Sequence, residues 1–226
     1  MVVVKSAILD EMSGKLGGGW FLYTRMGKTI MRRSPGKRKK SSAKQETCMN
    51  NTTCMNSLYS YVKRFLECPV WKLAGAEFGK MANNYFARVN KGLFDERMQI
   101  RSYDSLVLTE GTLQNPAGMS VSHVGGYKYN VTWEAEDAPG SRSGTNELKV
   151  IIAADYSYET IFDLSLSWAK HVSGKRSRGN GCFTIPEEVV NLAKREGKDT
   201  LHAYCLFASE DEKAFSRSKH FSIPVE

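Results

Sequence analysis

Proline, cysteine and histidine are all scarce in this sequence of 226 residues, which contains six, five and four of them. The cysteines are odd in number and include no closely spaced CxxC pair, which argues against a disulfide framework and against a zinc ribbon. No apolar run approaches the length of a membrane span, and the N-terminus lacks the basic start and continuous apolar stretch of a secretory signal. These absences predict a reduced, cytoplasmic protein with no membrane span.

Motifs that carry catalysis are also missing. There is no GxSxG elbow, and the "MGKT" at 26–29 lacks the glycine that a phosphate-binding loop needs five residues earlier, where Leu22 stands. The four histidines lie on separate predicted elements. Of these, His202 and His220 would become neighbours only if the last two strands pair, which makes them a candidate for metal binding or proton transfer. A surface or hydrogen-bonded role on the strands is the favoured explanation of these two histidines. The sequence therefore predicts a protein that is not an enzyme and has no metal and no cofactor.

Positive charge is present and is concentrated in one segment. The formal net charge is +8, from 32 basic and 24 acidic residues, and the segment from Arg25 to Lys44 supplies nine basic residues and no acidic one. Outside it, 23 basic residues face 24 acidic ones. Because the remainder is nearly neutral, the charge excess describes one local segment and not a generally basic surface, a distinction that matters for long-range steering of anionic partners.

A β-hairpin is predicted immediately before the most basic part of this segment. The stretch "GGGWFLYTRMGKTIMRR" contains two extended runs around a Met26-Gly27 turn, in which Gly27 supplies the positive φ. Pairing across a two-residue loop places Phe21 opposite Arg32 and Trp20 opposite Arg33. The hairpin is therefore expected to carry aromatic and basic side chains together.

Two functions and one structural role fit the basic segment. Phosphate neutralisation combined with base stacking on the nearby aromatic rings predicts binding of a polyanion such as nucleic acid. An acidic protein partner would need the same charges. A solvated connector between hairpin and helix explains them without a partner, and charge runs are common in that role. The candidate contact residues are Arg32, Arg33, Lys37, Arg38, Lys39 and Lys40.

An antiparallel pair of helices is predicted next. Ser42 followed by Gln45 has the pattern of a capping box, and apolar residues recur at helical spacing until the chain reaches Pro69. A second helix, roughly over 75–91, places an apolar stripe on one face. Core packing explains this stripe; alternatively it lines a cavity for a small apolar or lipid-like ligand. The candidate lining residues are Phe78, Tyr85, Phe86 and Val89.

After about residue 103 the apolar period changes to two, as in "YKYNVTWE" and "IFDLSLSW". Further strands are predicted at 105–108, 148–154, 182–185, 201–207 and 221–225, with a short helix after Pro186. This order resembles a fibronectin type III or immunoglobulin-like sandwich, with Trp133 facing inward and Tyr204 as a tyrosine corner whose hydroxyl bonds back to the crossover backbone. The predicted fold is α+β, with the hairpin and helical pair over 1–102 and the antiparallel sandwich over 103–226.

A second resemblance covers nearly the whole chain. The segments "SGKLGG", "YTRMGKTIMRRSPGKRKK", "SLVLTEGTL" and "HAYCLFASEDEKAFSRSKHF" resemble, in that order, an uncharacterised domain-of-unknown-function family of Bacteroidota proteins. That family is marked by a glycine-rich start, a GKTxxRxxPxKRKK stretch followed by helices, and a β-rich C-terminal half. The chain departs from the pattern at Met26, where Asn is more usual, and at Thr109, where the pattern has Ser. The resemblance implies a fold and a bacterial source, and it implies no reaction.

Overall fold

The computed structural model describes residues 2–4, 14–25, 27–34, 41–135, 145–155 and 163–225. The chain divides into two compact units, Met1–Gln45 and Glu46–Glu226. This division differs from the predicted boundary after residue 102, because the helices that precede residue 102 share one buried core with strands of the later sequence. Within the described ranges, no helix is long and apolar enough to cross a membrane.

The N-terminal unit contains one antiparallel sheet with the strand order β1-β4-β3-β2. Its strands are β1 Val2–Val4, β2 Gly14–Leu16, β3 Trp20–Arg25 and β4 Lys28–Arg33. The hairpin of β3 and β4 confirms the prediction, and Gly27 in its turn has a φ of 68°. The two outer strands were not predicted, since each is only three residues long.

The first helix, α1 Ala43–Leu66, begins where its capping residues predict. The backbone N–H of Ser42 donates to Oε1 of Gln45 at 3.0 Å, and the backbone N–H of Gln45 donates to Oγ of Ser42 at 3.3 Å. These reciprocal bonds satisfy two donors that a helix start would otherwise leave open.

The predicted second helix is wrong in one respect, because the structure has two shorter helices in its place. These are α2 Val70–Glu77 and α3 Ala82–Val89. Between them Gly79 adopts a φ of 60°, and the N–H of Lys80 donates to the carbonyl oxygen of Gly75 at 2.8 Å. A left-handed glycine followed by a hydrogen bond back to the last helical turn terminates a helix. The helix therefore ends here, although the apolar period of the sequence continues.

The rest of the chain forms two antiparallel sheets and a fourth helix, α4 Glu187–Arg195. The strands are β5 Ser120–Gly125, β6 Lys128–Thr132, β7 Glu147–Ala154, β8 Ser165–Trp168, β9 Lys170–Ser173, β10 Asn180–Thr184, β11 Thr200–Ala208 and β12 Lys219–Pro224. Their orders are β5-β6-β10-β9 and β12-β11-β7-β8. These orders correspond to the strand letters of the immunoglobulin-like scheme. The sheet β5-β6-β10-β9 matches strands A, B, E and D, and the sheet β12-β11-β7-β8 matches strands G, F and C with β8 as one added strand. The predicted α+β class is confirmed.

The larger unit has three layers and two buried clusters. Between the sheets, Trp133 packs edge-on against Phe207 with ring centroids 5.1 Å apart, and α4 adds Val190 and Ala193 to this cluster. On the outer face of the β12-β11-β7-β8 sheet, a second cluster joins residues of α1, α2 and α3 to residues of β7, β8 and β11. Strand β11 is therefore buried on both faces.

The strand predicted at 105–108 is wrong. Residues Tyr103–Ser105 form one 3-10 turn, and the backbone after it is irregular although Leu106, Val107 and Leu108 are buried. The backbone N–H and carbonyl groups of this segment form hydrogen bonds with side chains and not with a neighbouring strand. The amide of Asn90 donates to the carbonyl oxygen of Val107 at 3.1 Å and accepts the N–H of Val107 at 2.8 Å. Buried peptide groups need partners, and here a helix-terminal side chain supplies them.

The predicted tyrosine corner at Tyr204 is also wrong. The Tyr204 hydroxyl donates to the carbonyl oxygen of Tyr103 at 2.7 Å and not to the crossover between β10 and β11. Alternation along β11 explains this result, because Ala203 and Cys205 face the opposite sheet and Tyr204 faces the helices.

Candidate polyanion-binding surface

The N-terminal unit carries the whole charge excess of the protein. Residues Met1–Gln45 contain eleven basic and two acidic residues, a net charge of +9. Residues Glu46–Glu226 contain 21 basic and 22 acidic residues, a net charge of −1. The division into compact units therefore coincides with a division of charge.

One row of side chains across this sheet alternates cation, aromatic ring and cation. Phe21 of β3 is opposite Arg32 of β4, as predicted from the hairpin sequence. On the other edge of β3, Phe21 is opposite Lys15 of β2. All three side chains are exposed, Phe21 to 36%. Neighbouring strands are about 4.8 Å apart, so each cation is anchored one strand spacing from the aromatic residue.

Further aromatic and basic residues follow on the same face of the sheet. Tyr23 of β3 is paired with Ile30, and Lys28 of β4 lies at the hairpin end. Tyr23 is half-buried, Ile30 is buried and Lys28 is exposed. Since side chains two residues apart on a strand share a face, the rings of Phe21 and Tyr23 are anchored about 7 Å apart. We call Lys15, Phe21, Tyr23, Lys28 and Arg32 the Phe21 face.

The opposite face carries the other predicted pair. Trp20 is opposite Arg33, as expected, and Leu16 of β2 is opposite Trp20. Trp20 is 37% and Leu16 39% exposed, while the next residue on this face, Leu22, is buried. Among the described side chains, this face thus presents two apolar groups beside the single cation Arg33, whereas the Phe21 face presents three cations.

Four of the six predicted contact residues, Lys37, Arg38, Lys39 and Lys40, lie outside the described residues. They follow β4 in the sequence after only three intervening residues. Their role stays a prediction.

The four predicted ligand-lining residues do not share one environment. Phe86 is fully buried and packs edge-on against Trp71 with centroids 4.7 Å apart. Phe78 is 54% exposed and stacks on the buried Tyr85 at 4.9 Å, and Val89 is half-buried. A groove of about 340 Å³ lies beside α2, but none of the four is among the described residues that line it. Phe86 is therefore part of a packed core.

The structure brings His202 and His220 together because β11 and β12 pair. Nδ1 of His202 and Nε2 of His220 are 3.0 Å apart, and Nδ1 of His220 contacts a carboxylate oxygen of Asp104. An ionised carboxylate only accepts, so the proton of a neutral His220 is on Nδ1 and its Nε2 accepts from His202. The ring of Tyr103 stacks on His202 with centroids 4.1 Å apart. No sequence signal pointed to Asp104, which is remote along the chain and lies in a turn.

The imidazole rings of His202 and His220 are both neutral at pH 7. Burial, reinforced by the charge of His220, lowers the pKa of His202 to about 4. Burial also lowers the pKa of His220, and the neighbouring Asp104 opposes that shift. The described residues contain no group of three or more His, Cys, Asp or Glu side chains placed to hold a metal ion. The cluster can accept a proton, but only in acid.

Comparison of the chain with protein-family models, with curated proteins and with solved structures finds no match. The resemblance to the Bacteroidota family therefore rests on the four sequence segments alone.

Proposed function

We propose that this protein is a non-enzymatic binding protein whose N-terminal unit binds a polyanion. One observation carries the proposal, namely the charge of +9 on residues Met1–Gln45 against −1 on the remaining 181 residues. A charge excess confined to one small unit concentrates the attractive field there and directs an anionic partner to it.

The exposed cations of the sheet supply the first contacts. Arg32 and Arg33 end β4 with both side chains exposed, and Lys15 and Lys28 are exposed on the Phe21 face. The predicted contacts at Lys37 to Lys40 extend this set in the sequence. A protein that neutralises five or six phosphates releases their counterions, so log K is expected to fall with log salt at a slope of about −5.

Fluorescence anisotropy with a labelled heparin fragment and a labelled oligonucleotide tests the proposal, at salt concentrations from about 50 to 200 mM. One variant replaces Lys37, Arg38, Lys39 and Lys40 by Ala. A matched control removes the same number of charges from the second unit by replacing four exposed residues by Ala: Lys63, Arg64, Lys72 and Lys91.

We expect micromolar, salt-sensitive binding by the unmodified protein and by the control, and strongly weakened binding by the first variant. An equal loss in both variants would assign the effect to net charge and not to the N-terminal unit. Absence of binding at low salt by the unmodified protein would exclude a polyanion and leave an acidic protein as the partner to seek.

A further inference from the structure

The Phe21 face has a chemistry that a purely electrostatic site does not need. Phe21 is exposed between Lys15 and Arg32 in one cross-strand row. Exposing an aromatic ring to water is unfavourable, and the same cations without it would bind any polyanion. A ring between two cations matches a ligand that has a flat apolar surface between negative charges.

A nucleotide strand has this alternation of base and phosphate. We infer that the Phe21 face binds single-stranded nucleic acid, with bases stacked on Phe21 and Tyr23 and phosphates held by Lys15, Lys28 and Arg32. The inference rests on the proposed function and names its ligand class.

The spacing of the two rings supports a single strand. Phe21 and Tyr23 are two residues apart on β3 and face the same side, so their anchoring atoms are about 7 Å apart. Two separated bases of an extended strand can each stack on one ring. In a duplex the base faces are covered by their neighbours, and in a sulfated polysaccharide there are no bases, so neither ligand can use the rings.

The charges around the rings also fit a phosphate backbone. The strands β2, β3 and β4 contain no Asp or Glu, so no carboxylate on these strands repels a phosphate. The basic residues stand at both ends of the face, with Arg32 beside Phe21 and Lys28 at the hairpin end. A strand lying along β3 would therefore meet a cation on either side of the two stacking positions.

The test compares Phe21→Ala with Trp20→Ala, which removes a similarly exposed ring from the opposite face. The probes are a labelled homopyrimidine oligonucleotide, the same sequence as a duplex, and labelled heparin. Circular dichroism of each variant checks folding, and Phe21→Leu repeats the test with a side chain that keeps apolar bulk without a stacking ring.

We expect Phe21→Ala and Phe21→Leu to weaken single-strand binding about tenfold and heparin binding less than about twofold. Trp20→Ala should leave both affinities within about twofold of the unmodified protein. Arg32→Ala should weaken both probes, because it removes a charge that both use.

Two results overturn the inference and are distinguishable from failure of the proposed function. If the protein binds both probes and Phe21→Ala leaves single-strand affinity unchanged, the polyanion site stands and base stacking fails. Duplex binding as tight as single-strand binding would also exclude base stacking. If the unmodified protein binds neither oligonucleotide nor heparin, the proposed function itself fails.

Discussion

Phe21 on β3 lies directly opposite Arg32 on β4, with Lys15 of β2 directly opposite Phe21 on the other side. This register places aromatic and basic groups on one face of the sheet. A slip by one residue would move every side chain of a strand to the other face and separate the ring from both cations. The turn that fixes the register is therefore as important for the surface as the residues on it.

Gly27 controls that turn, since its φ of 68° lies in the left-handed region. We expect Gly27→Val to destabilise the turn by about 1–2 kcal/mol, because a side chain branched at Cβ is strained there. Gly27→Asn is the control, since Asn tolerates the left-handed region. Oligonucleotide affinity should fall for Val and be retained for Asn; equal affinity in both variants would show that the turn does not control the surface.

Asn90 is one of the side chains that hold the irregular segment after the 3-10 turn. Its amide satisfies both the N–H and the carbonyl oxygen of Val107, and its side chain is buried. Asn90→Ala leaves two buried peptide groups unpaired, so we expect a loss of about 2–4 kcal/mol in the free energy of unfolding. Urea unfolding measures this loss, with the exposed Asn84→Ala as the control. A loss below that of the control would contradict the role of Asn90.

His202 and His220 should make the protein less stable in acid. Because burial lowers both pKa values, that of His202 to about 4, the unfolded chain takes up protons first, near pH 6.5. The stabilisation is therefore complete above pH 6.5 and is lost as the pH falls toward 4. We expect Tm to drop over this window and His202→Gln to reduce the drop. His171→Asn, at an exposed position of β9, should leave the pH profile unchanged; a profile unaltered by His202→Gln would contradict the assignment.

Gly111 is required where the backbone passes close to Phe215. A Cβ added at Gly111 would overlap the carbonyl oxygen of Phe215, which already accepts the N–H of Leu113 at 3.0 Å. We expect Gly111→Ala to cost about 1–3 kcal/mol of stability, because the backbone must move. The neighbouring Thr112→Ala, at an exposed position, is the control in thermal unfolding. Equal Tm values for the two variants would show that the loop adjusts without strain.

Local chemistry predicted the parts of the fold that depend on few residues. The two-residue turn at Gly27 defined the pairing of Phe21 with Arg32, and the Ser42–Gln45 capping box defined the start of α1. Strict alternation identified β6 and β8. The break at Gly79 was missed because the apolar period continues across it.

The segment 105–108 was missed for a different reason. Its apolar residues are buried as a strand's would be, but its backbone partners are side chains that are distant in sequence. No local pattern reports such partners.

The candidate surface was predictable in part. The basic segment and the aromatic residues of the hairpin are visible in the sequence, and the pairing register of β3 with β4 follows from the two-residue turn. Lys15 was missed because β2 is only three residues long. Asp104 beside His220 was missed because only the tertiary structure brings a turn at residue 104 to the last strand.

Photo-crosslinking to a single-stranded oligonucleotide that carries 5-bromouracil, followed by mass spectrometry of the peptides, tests the central claim most directly. We predict crosslinks within residues 14–33, with Phe21 and Tyr23 as the modified positions and loss of the Phe21 crosslink in Phe21→Ala. Crosslinks confined to residues 46–226 would contradict the account, because they would place the nucleic acid on the unit that carries no positive charge excess.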